Sequence, residues 1–345
     1  MANVHKYFIT FHDSIRLDDE NETLRTKREI ILEKLKKNIS KDAKGYDTFN
    51  QGSYAMSTGV KPVDGDYDID VGIKFKMSKD DTEPLTAKDW VFKALDGHTK
   101  SAKIKNPCVT VTYQEGGEPA YHVDLAIYAA DNIDGKLYLA KGKPESKPEN
   151  KKWEASSPQE LLDTIRGYFS NLDDRAQFRR VIRYLKRWKD IKFTDGGNSK
   201  PTGIALTCAA YHWLSPNKTL ADVTANKYEY NDLKCLIDFV SSVIGKFYQV
   251  WDQDSGKYIY RLTVQLPVDP YCDLCEKMTN KQMEKFKEKL ETLQAVLKAA
   301  ENEVDPVEAC KKLKAEFGDD FPVPPPEETA KAKSVAITTT SSSAG

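Results

Sequence analysis

The chain lacks several features that would place it quickly. It has no surplus of charge: 52 lysines and arginines face 53 aspartates and glutamates, a formal net charge of -1. No global field therefore draws it to nucleic acid, and an obligate nucleic-acid partner is disfavoured. It has no apolar run of about 18 residues and a mean hydropathy of -0.61, which argues against a membrane span. The opening segment carries no signal-peptide core, so a cytoplasmic protein is expected. It has no disulfide framework either, because its six cysteines, at 108, 208, 235, 272, 275 and 310, are scattered and sit mostly in apolar stretches. Buried, reduced thiols fit that distribution. Cys272 and Cys275 have metal-binding spacing, but no second Cys-x-x-Cys and no paired histidines accompany them, and zinc is not expected. No internal repeat is visible, and 345 residues suffice for two domains sharing a cleft.

What is present is concentrated between residues 51 and 75. Gln51, Gly52 and Ser53 form a turn in which Gly52 lets backbone approach a phosphate and Ser53 supplies a hydroxyl and an N–H; the following segment opens a helix. Downstream, Ile69, Val71, Ile73 and Phe75 alternate with Asp68, Asp70, Gly72 and Lys74, the period of a strand buried on one side. Asp68 and Asp70 therefore share the solvated face. Asp66 lies on that face too, so spacing alone leaves two pairs open; Asp68 with Asp70 is preferred because Ile69 and Val71 belong to the apolar run.

A second strand carries a third carboxylate. Val123, Leu125 and Ile127 make one face, and His122, Asp124, Ala126 and Tyr128 the other. An aspartate on a half-buried strand is costly unless paired or bound to a cation. Three such carboxylates suit two magnesium ions, which prefer oxygen ligands and substrate phosphates.

These elements, in this order, resemble the nucleotidyltransferase superfamily of poly(A) polymerases, oligoadenylate synthases and animal cyclic GMP-AMP synthase. The chain is most similar to its bacterial CD-NTases, the cGAS/DncV-like enzymes that make cyclic oligonucleotide signals in anti-phage (CBASS) defence. The residues carrying the resemblance are Gln51 to Ser53, Tyr67 to Asp70, His122 to Asp124 and Arg183 to Asp190, and it spans about residues 5 to 320.

The resemblance implies an α+β, bilobal nucleotidyltransferase fold: a mixed-sheet catalytic lobe with an N-terminal helix over 1–155, a helical nucleotide-binding lobe over 156–320, and a disordered tail over 321–345. It implies Asp68, Asp70 and Asp124 as catalytic metal ligands, Mg2+ as two ions with Mn2+ able to substitute, and ATP or GTP as substrates. It places Lys186 on the triphosphate, with a hydroxyl from Thr202 or, second, Ser199. Asp269 sits in a segment similar to a loop that closes the nucleotide pocket in such enzymes, an ordinary turn being the alternative. Tyr54 is a candidate for base stacking, a core position being equally open. His122 reads as structural. A cyclic di- or trinucleotide is the implied product, while linear products from a template-independent or oligoadenylate synthase-like polymerase, or a catalytically idle module, are the rival readings. The terminal Ala344 and Gly345 suit conjugation by a ubiquitin-like partner, as in some CD-NTases; a tail without a role is the alternative.

Periodicity predicts helices over 18–40, with Leu24, Ile31 and Leu35 on one stripe, then over 86–96, 175–191, 203–214, 230–247, 279–301 and 306–316. The first of these braces the two lobes in the family. Ser157 to Glu160 reads as a capping box. The two glycines after Glu115 read as a hairpin turn, and Asp254 to Gly256 as the turn of a hairpin over 248–265. From Asp319 onward the chain is too poor in apolar residues to pack. The basic residues of 175–192 have two readings, a solvated face or a cationic wall opposite the metals.

Overall fold

The computed structural model describes residues 3–17, 22–97, 101–115, 118–193 and 200–326. The candidate residue Ser199 and the tail from 327 lie outside them. The sheet lobe follows two helices, α1 (His5–Ile15) and α2 (Glu22–Asn38). It comprises β1 (Tyr46–Asn50), the single turn α3 (Gly52–Ala55), β2 (Tyr67–Phe75), α4 (Pro84–Leu95), β3 (Ser101–Ile104), β4 (Val109–Glu115), β5 (Glu118–Ala129), β6 (Leu137–Ala140) and β7 (Trp153–Ser156). The sheet runs β1-β2-β5-β4-β3, with β6 and β7 continuing from β5. All its pairings are antiparallel except β2 with β5. That parallel pair needs a crossover, which α4, β3 and β4 supply.

The alternation expected of β2 holds. Ile69, Val71, Ile73 and Phe75 are buried with Val109, Val111, Val123, Leu125 and Ile127, and α4 adds Ala87, Val91 and Leu95 to the same cluster. Leu24, Ile31 and Leu35 of α2 are buried there as well, so α2 covers the sheet. It is α1 that touches both lobes: Phe8, Phe11 and Ile15 enter the helical core, while Ile15 O accepts from Lys61 N at 2.8 Å and Leu17 N donates to Gly59 O at 3.2 Å in the segment between β1 and β2.

The second lobe holds α5 (Pro158–Gly167), α6 (Leu172–Lys192), α7 (Gly203–Trp213), β8 (Lys218–Asp222), β9 (Lys227–Tyr230), α8 (Asp232–Ile244), β10 (Tyr248–Asp252), β11 (Lys257–Arg261), α9 (Asn280–Asn302) and α10 (Pro306–Phe317). The helical periodicities of the sequence are realised within a few residues, and the hairpin over 248–265 is present as β10 and β11. The short hairpin β8–β9 has too little apolar alternation to announce itself. Ser157 starts α5 but makes no side-chain cap; the reciprocal capping box is at α9, between Thr279 and Gln282. Ser157 and Pro158 line the cleft between the lobes, so this helix start faces the cavity.

Two long-range arrangements hold the helical lobe. The fully buried Asp232 carboxylate accepts from Arg180 Nε at 2.6 Å and Nη2 at 2.8 Å, from Tyr184 Oη at 2.8 Å and from Gln177 Nε2 at 3.0 Å. Phe321, which the sequence reading leaves in the unpacked tail, is buried against Phe8, Phe11 and Phe317 with ring centroids 5.1 to 5.8 Å apart. Its partners come from the other end of the chain and from α10, so no local composition reveals them.

Candidate active site

The parallel register of β2 and β5 builds the acidic centre. Asp70 lies directly beside Asp124, and Asp68 beside His122. All four side chains share one sheet face because they sit two apart on their strands. On the flanking strand, Thr110 pairs with Asp124 and its hydroxyl donates to Asp124 Oδ1. The Asp68, His122 and Asp124 ligand atoms lie within 4.8 Å of one another. Burial pushes the Asp70 carboxyl up to about 8, reinforced by Asp68 and Asp124 and opposed by His122 and Lys186. Such a set is what a divalent cation relieves, since its charge restores the ionised forms. The donors present therefore fit magnesium or manganese.

His122 is not a bystander in a core. Its Nδ1 lies 3.0 Å from Asp66 Oδ1 and its Nε2 3.3 Å from Asp68 Oδ1. The hydrogen bond to Asp68 raises its pKa to about 9, against burial and with help from Asp66. Asp66, left open by spacing, thus sits beside the histidine, whereas Asp70 is the carboxylate paired with Asp124.

The Gly-Ser turn abuts this centre. Gln51 N–H donates to Asp70 O at 3.2 Å, and Gly52 has a φ of 72°. An ideal Cβ on Gly52 would lie 2.5 Å from Asp70 Cγ, so only glycine fits there without displacing the carboxylate. Tyr128 Oη donates to Gln51 Oε1 at 2.8 Å. Ala55 and Met56, just after the turn, are buried in the helical lobe's core, which places the turn at the seam between lobes.

The basic helix α6 resolves its two readings in an unexpected way. Arg183 donates to Ser57 O at 2.6 Å and Gly59 O at 3.0 Å, Lys186 to Thr58 O at 3.1 Å and Thr58 Oγ1 at 3.0 Å, and Arg187 to Lys61 O at 2.9 Å. All three are buried. Three of the eight cations read as a wall or as a solvated face are thus a clasp, satisfying the carbonyls of the segment that follows the Gly-Ser turn. Burial and the neighbouring Lys189 and Arg183 bring Lys186 down to about 7, while Asp190 and Asp70 oppose the shift.

A cavity of about 790 Å³ lies between the lobes. It is lined by Gln51, Gly52, Ser53, Asp68, Asp70 and Lys186, which the sequence reading brought together, and by Asp66. Asp124 stands off the lining and joins through the sheet register. Three other candidates are not brought to the wall. Thr202 caps α7 by accepting from Ala205 N at 3.2 Å, Tyr54 packs on the sheet's core, and Asp269 pairs with Lys136 at 3.1 Å. Sequence reasoning missed Tyr128, Ser156, Asp190, Lys200 and Thr207 on the wall, and held Lys189 only as one of the basic residues of 175–192. Lys189 was accessible to it, being three residues from Lys186 on one helix. Lys189 and Lys200 both pair with Asp190, at 3.1 and 3.7 Å.

Residues 47–128, the stretch holding the turn and all three aspartates, match the family described as cyclic GMP-AMP synthase DncV-like, nucleotidyltransferase domain. Over this domain the chain is similar to the bacterial CD-NTases. Within 166 residues, or 45% of this chain, it is 30% identical to a cyclic GMP-AMP synthase of Escherichia albertii, a match spanning 34% of that protein's length. It is 25% identical over 228 residues to the cyclic dipyrimidine nucleotide synthase CdnE of Cecembia lonarensis, covering 59% of this chain and 73% of that one. The CD-NTase fold is shared over nearly the whole chain: the GTP-bound form of Vibrio cholerae DncV superposes with a TM-score of 0.67 at 19% identity, covering 93% of this chain and 96% of that one. Among the described residues no helix is long and apolar enough to cross a membrane.

Proposed function

We propose that the protein links nucleoside triphosphates by attack of a ribose 3′- or 2′-hydroxyl on the α-phosphate of a second nucleotide, releasing pyrophosphate, and that a second round closes a cyclic di- or trinucleotide serving as an anti-phage (CBASS) signal. The observation that carries this reading is the placement of Asp68, Asp70 and Asp124 on adjacent strands beside Gly52 and Ser53 and across one cleft from Lys186. The relatives' names, a cyclic GMP-AMP synthase and a cyclic dipyrimidine synthase, support the cyclic product. They differ in base, so base choice belongs to the individual cleft.

Gly52 and Ser53 offer backbone N–H groups and a hydroxyl to phosphate oxygens. Lys186 Nζ has three donors and gives two to Thr58, leaving one for the triphosphate. Lys189 and Lys200 add charge on the same wall. Two divalent cations, Mg2+ or Mn2+, held by Asp68, Asp70 and Asp124 would supply Lewis-acid stabilisation and a lowered hydroxyl pKa. Leu139, Leu161, Leu162, Ile204 and Leu266 give the cleft apolar surface for bases and keep water from the reacting groups. Thr110 fixes one oxygen of Asp124, so the other is presented in a set direction.

The test is incubation with ATP, GTP, CTP and UTP, magnesium or manganese and no primer, followed by pyrophosphate release and mass spectrometry of products. Asp68→Asn combined with Asp70→Asn should abolish release. Turnover at the wild-type rate in that double variant would refute the mechanism, and exclusively linear products would refute the ring closure alone.

A further inference from the structure

We propose that His122 is itself a metal ligand, and that the position it forms with Asp68 and Asp124 takes a first-row transition cation such as Mn2+ in preference to Mg2+. This rests on the reading of the cleft as a metal-dependent site and goes beyond its three carboxylates. Three observations carry it. The parallel register sets His122 of β5 beside Asp68 of β2, two residues from Asp124 and on the same face. The donor atoms of Asp68, His122 and Asp124 fall within 4.8 Å of one another, and His122 Nε2 is 3.3 Å from Asp68 Oδ1. Two ligands about 2.1 Å from one cation and at right angles stand roughly 3 Å apart, so this spacing already suits neighbouring ligands of one ion. Finally, the other ring nitrogen, Nδ1, is 3.0 Å from Asp66 Oδ1. A carboxylate on the far nitrogen is how ligating imidazoles are oriented and made more basic, and it gives Asp66 a role outside the first ring of ligands. A carboxylate-only site suits magnesium, whereas one imidazole nitrogen moves the preference toward transition metals.

The experiment is Mn2+ titration of the full chain, with and without a non-hydrolysable ATP analogue, read by electron paramagnetic resonance with pulsed detection of nitrogen couplings. Bound Mn2+ should show a directly coordinated imidazole nitrogen that changes to the 15N pattern when only histidine is 15N-labelled. His122→Gln should remove that coupling and weaken Mn2+ at least tenfold while leaving Mg2+ affinity nearly unchanged. Asp66→Asn should keep the coupling but weaken Mn2+ about 10- to 100-fold. Bound Mn2+ without imidazole coupling in the wild type overturns the proposal and leaves the carboxylate site standing. Failure to bind Mn2+ at all overturns both this inference and the reading of the cleft on which it rests. The wild-type spectrum decides even if a variant misfolds.

Discussion

Gly52→Ala tests whether the Gly-Ser turn and the acidic centre are one object. At a φ of 72° an alanine is strained by about 1 to 2 kcal/mol. Its Cβ would stand 2.5 Å from Asp70 Cγ and 2.8 Å from Asp70 Cβ, where carbon pairs settle at about 3.5 to 4 Å. Something must therefore give by roughly 1 Å. The turn is held from behind: Gln51 N–H is bonded to Asp70 O, and Ala55 and Met56 are locked in the helical core. Rotation about χ1 carries the Asp70 carboxyl group away from the new methyl but leaves its Cβ in place, so the Asp70 strand position shifts as well and the carboxylate moves with it. A displacement of that size at the reacting centre costs on the order of 100-fold in rate. The strain alone lowers the melting temperature of a 345-residue chain by only about 1 to 3 °C. The assay pairs pyrophosphate release at saturating nucleotide with thermal melting. A folded Gly52→Ala protein retaining the wild-type rate within about threefold would refute the reasoning, because the carboxylate's position would then not depend on the glycine.

Lys186 supplies a pH test: it is brought down to about 7 in the free protein, and a triphosphate favours its charged form, so affinity for a non-hydrolysable nucleotide should fall as pH rises from 7 to 9. Lys186→Met should bind weakly with a flatter profile in equilibrium titrations; parallel profiles would contradict the assignment. Thr110→Val removes the buried hydroxyl that donates to the half-buried Asp124, at nearly constant volume, and should lower kcat about 10- to 100-fold, the worth of a hydrogen bond to a charge, with KM little changed and Thr110→Ser restoring it. Asp232→Ala strands the half-buried Arg180 and the Gln177 and Tyr184 donors and should cost about 3 to 5 kcal/mol, seen as a fall in the urea midpoint at constant slope; a loss below about 1 kcal/mol would refute its role as the hub of the helical lobe.

How much of this was legible in the sequence varies residue by residue. The faces of β2 and β5 were readable, since a period of two is written in neighbouring residues and Val71 and Asp70 leave no doubt which side is which. So was the need for glycine next to Ser53, though its partner, the Asp70 side chain, was not. His122 read as structural because nothing local says that a residue two before Asp124 will face Asp68. Thr202 looked like a phosphate hydroxyl because a threonine opening a helix serves equally as a cap, and in this structure the cap is what it makes.

Local periodicity, turn chemistry and the residue types of the aspartates determined by themselves which segments are strands or helices and which face of each is polar. Tertiary structure alone decided that β2 and β5 run parallel, which puts Asp124 beside Asp70 and His122 beside Asp68. It also decided that Arg183 and Arg187 clasp the carbonyls of residues 57 to 61, and that Phe8, Phe11 and Phe321 meet. The physical reason is range. Side-chain direction repeats over two or 3.6 residues and is carried by adjacent positions, whereas strand partnership, the fate of a buried cation and the docking of a terminal helix depend on groups far apart in the chain, from Asp70 with Asp124 to Phe8 with Phe321.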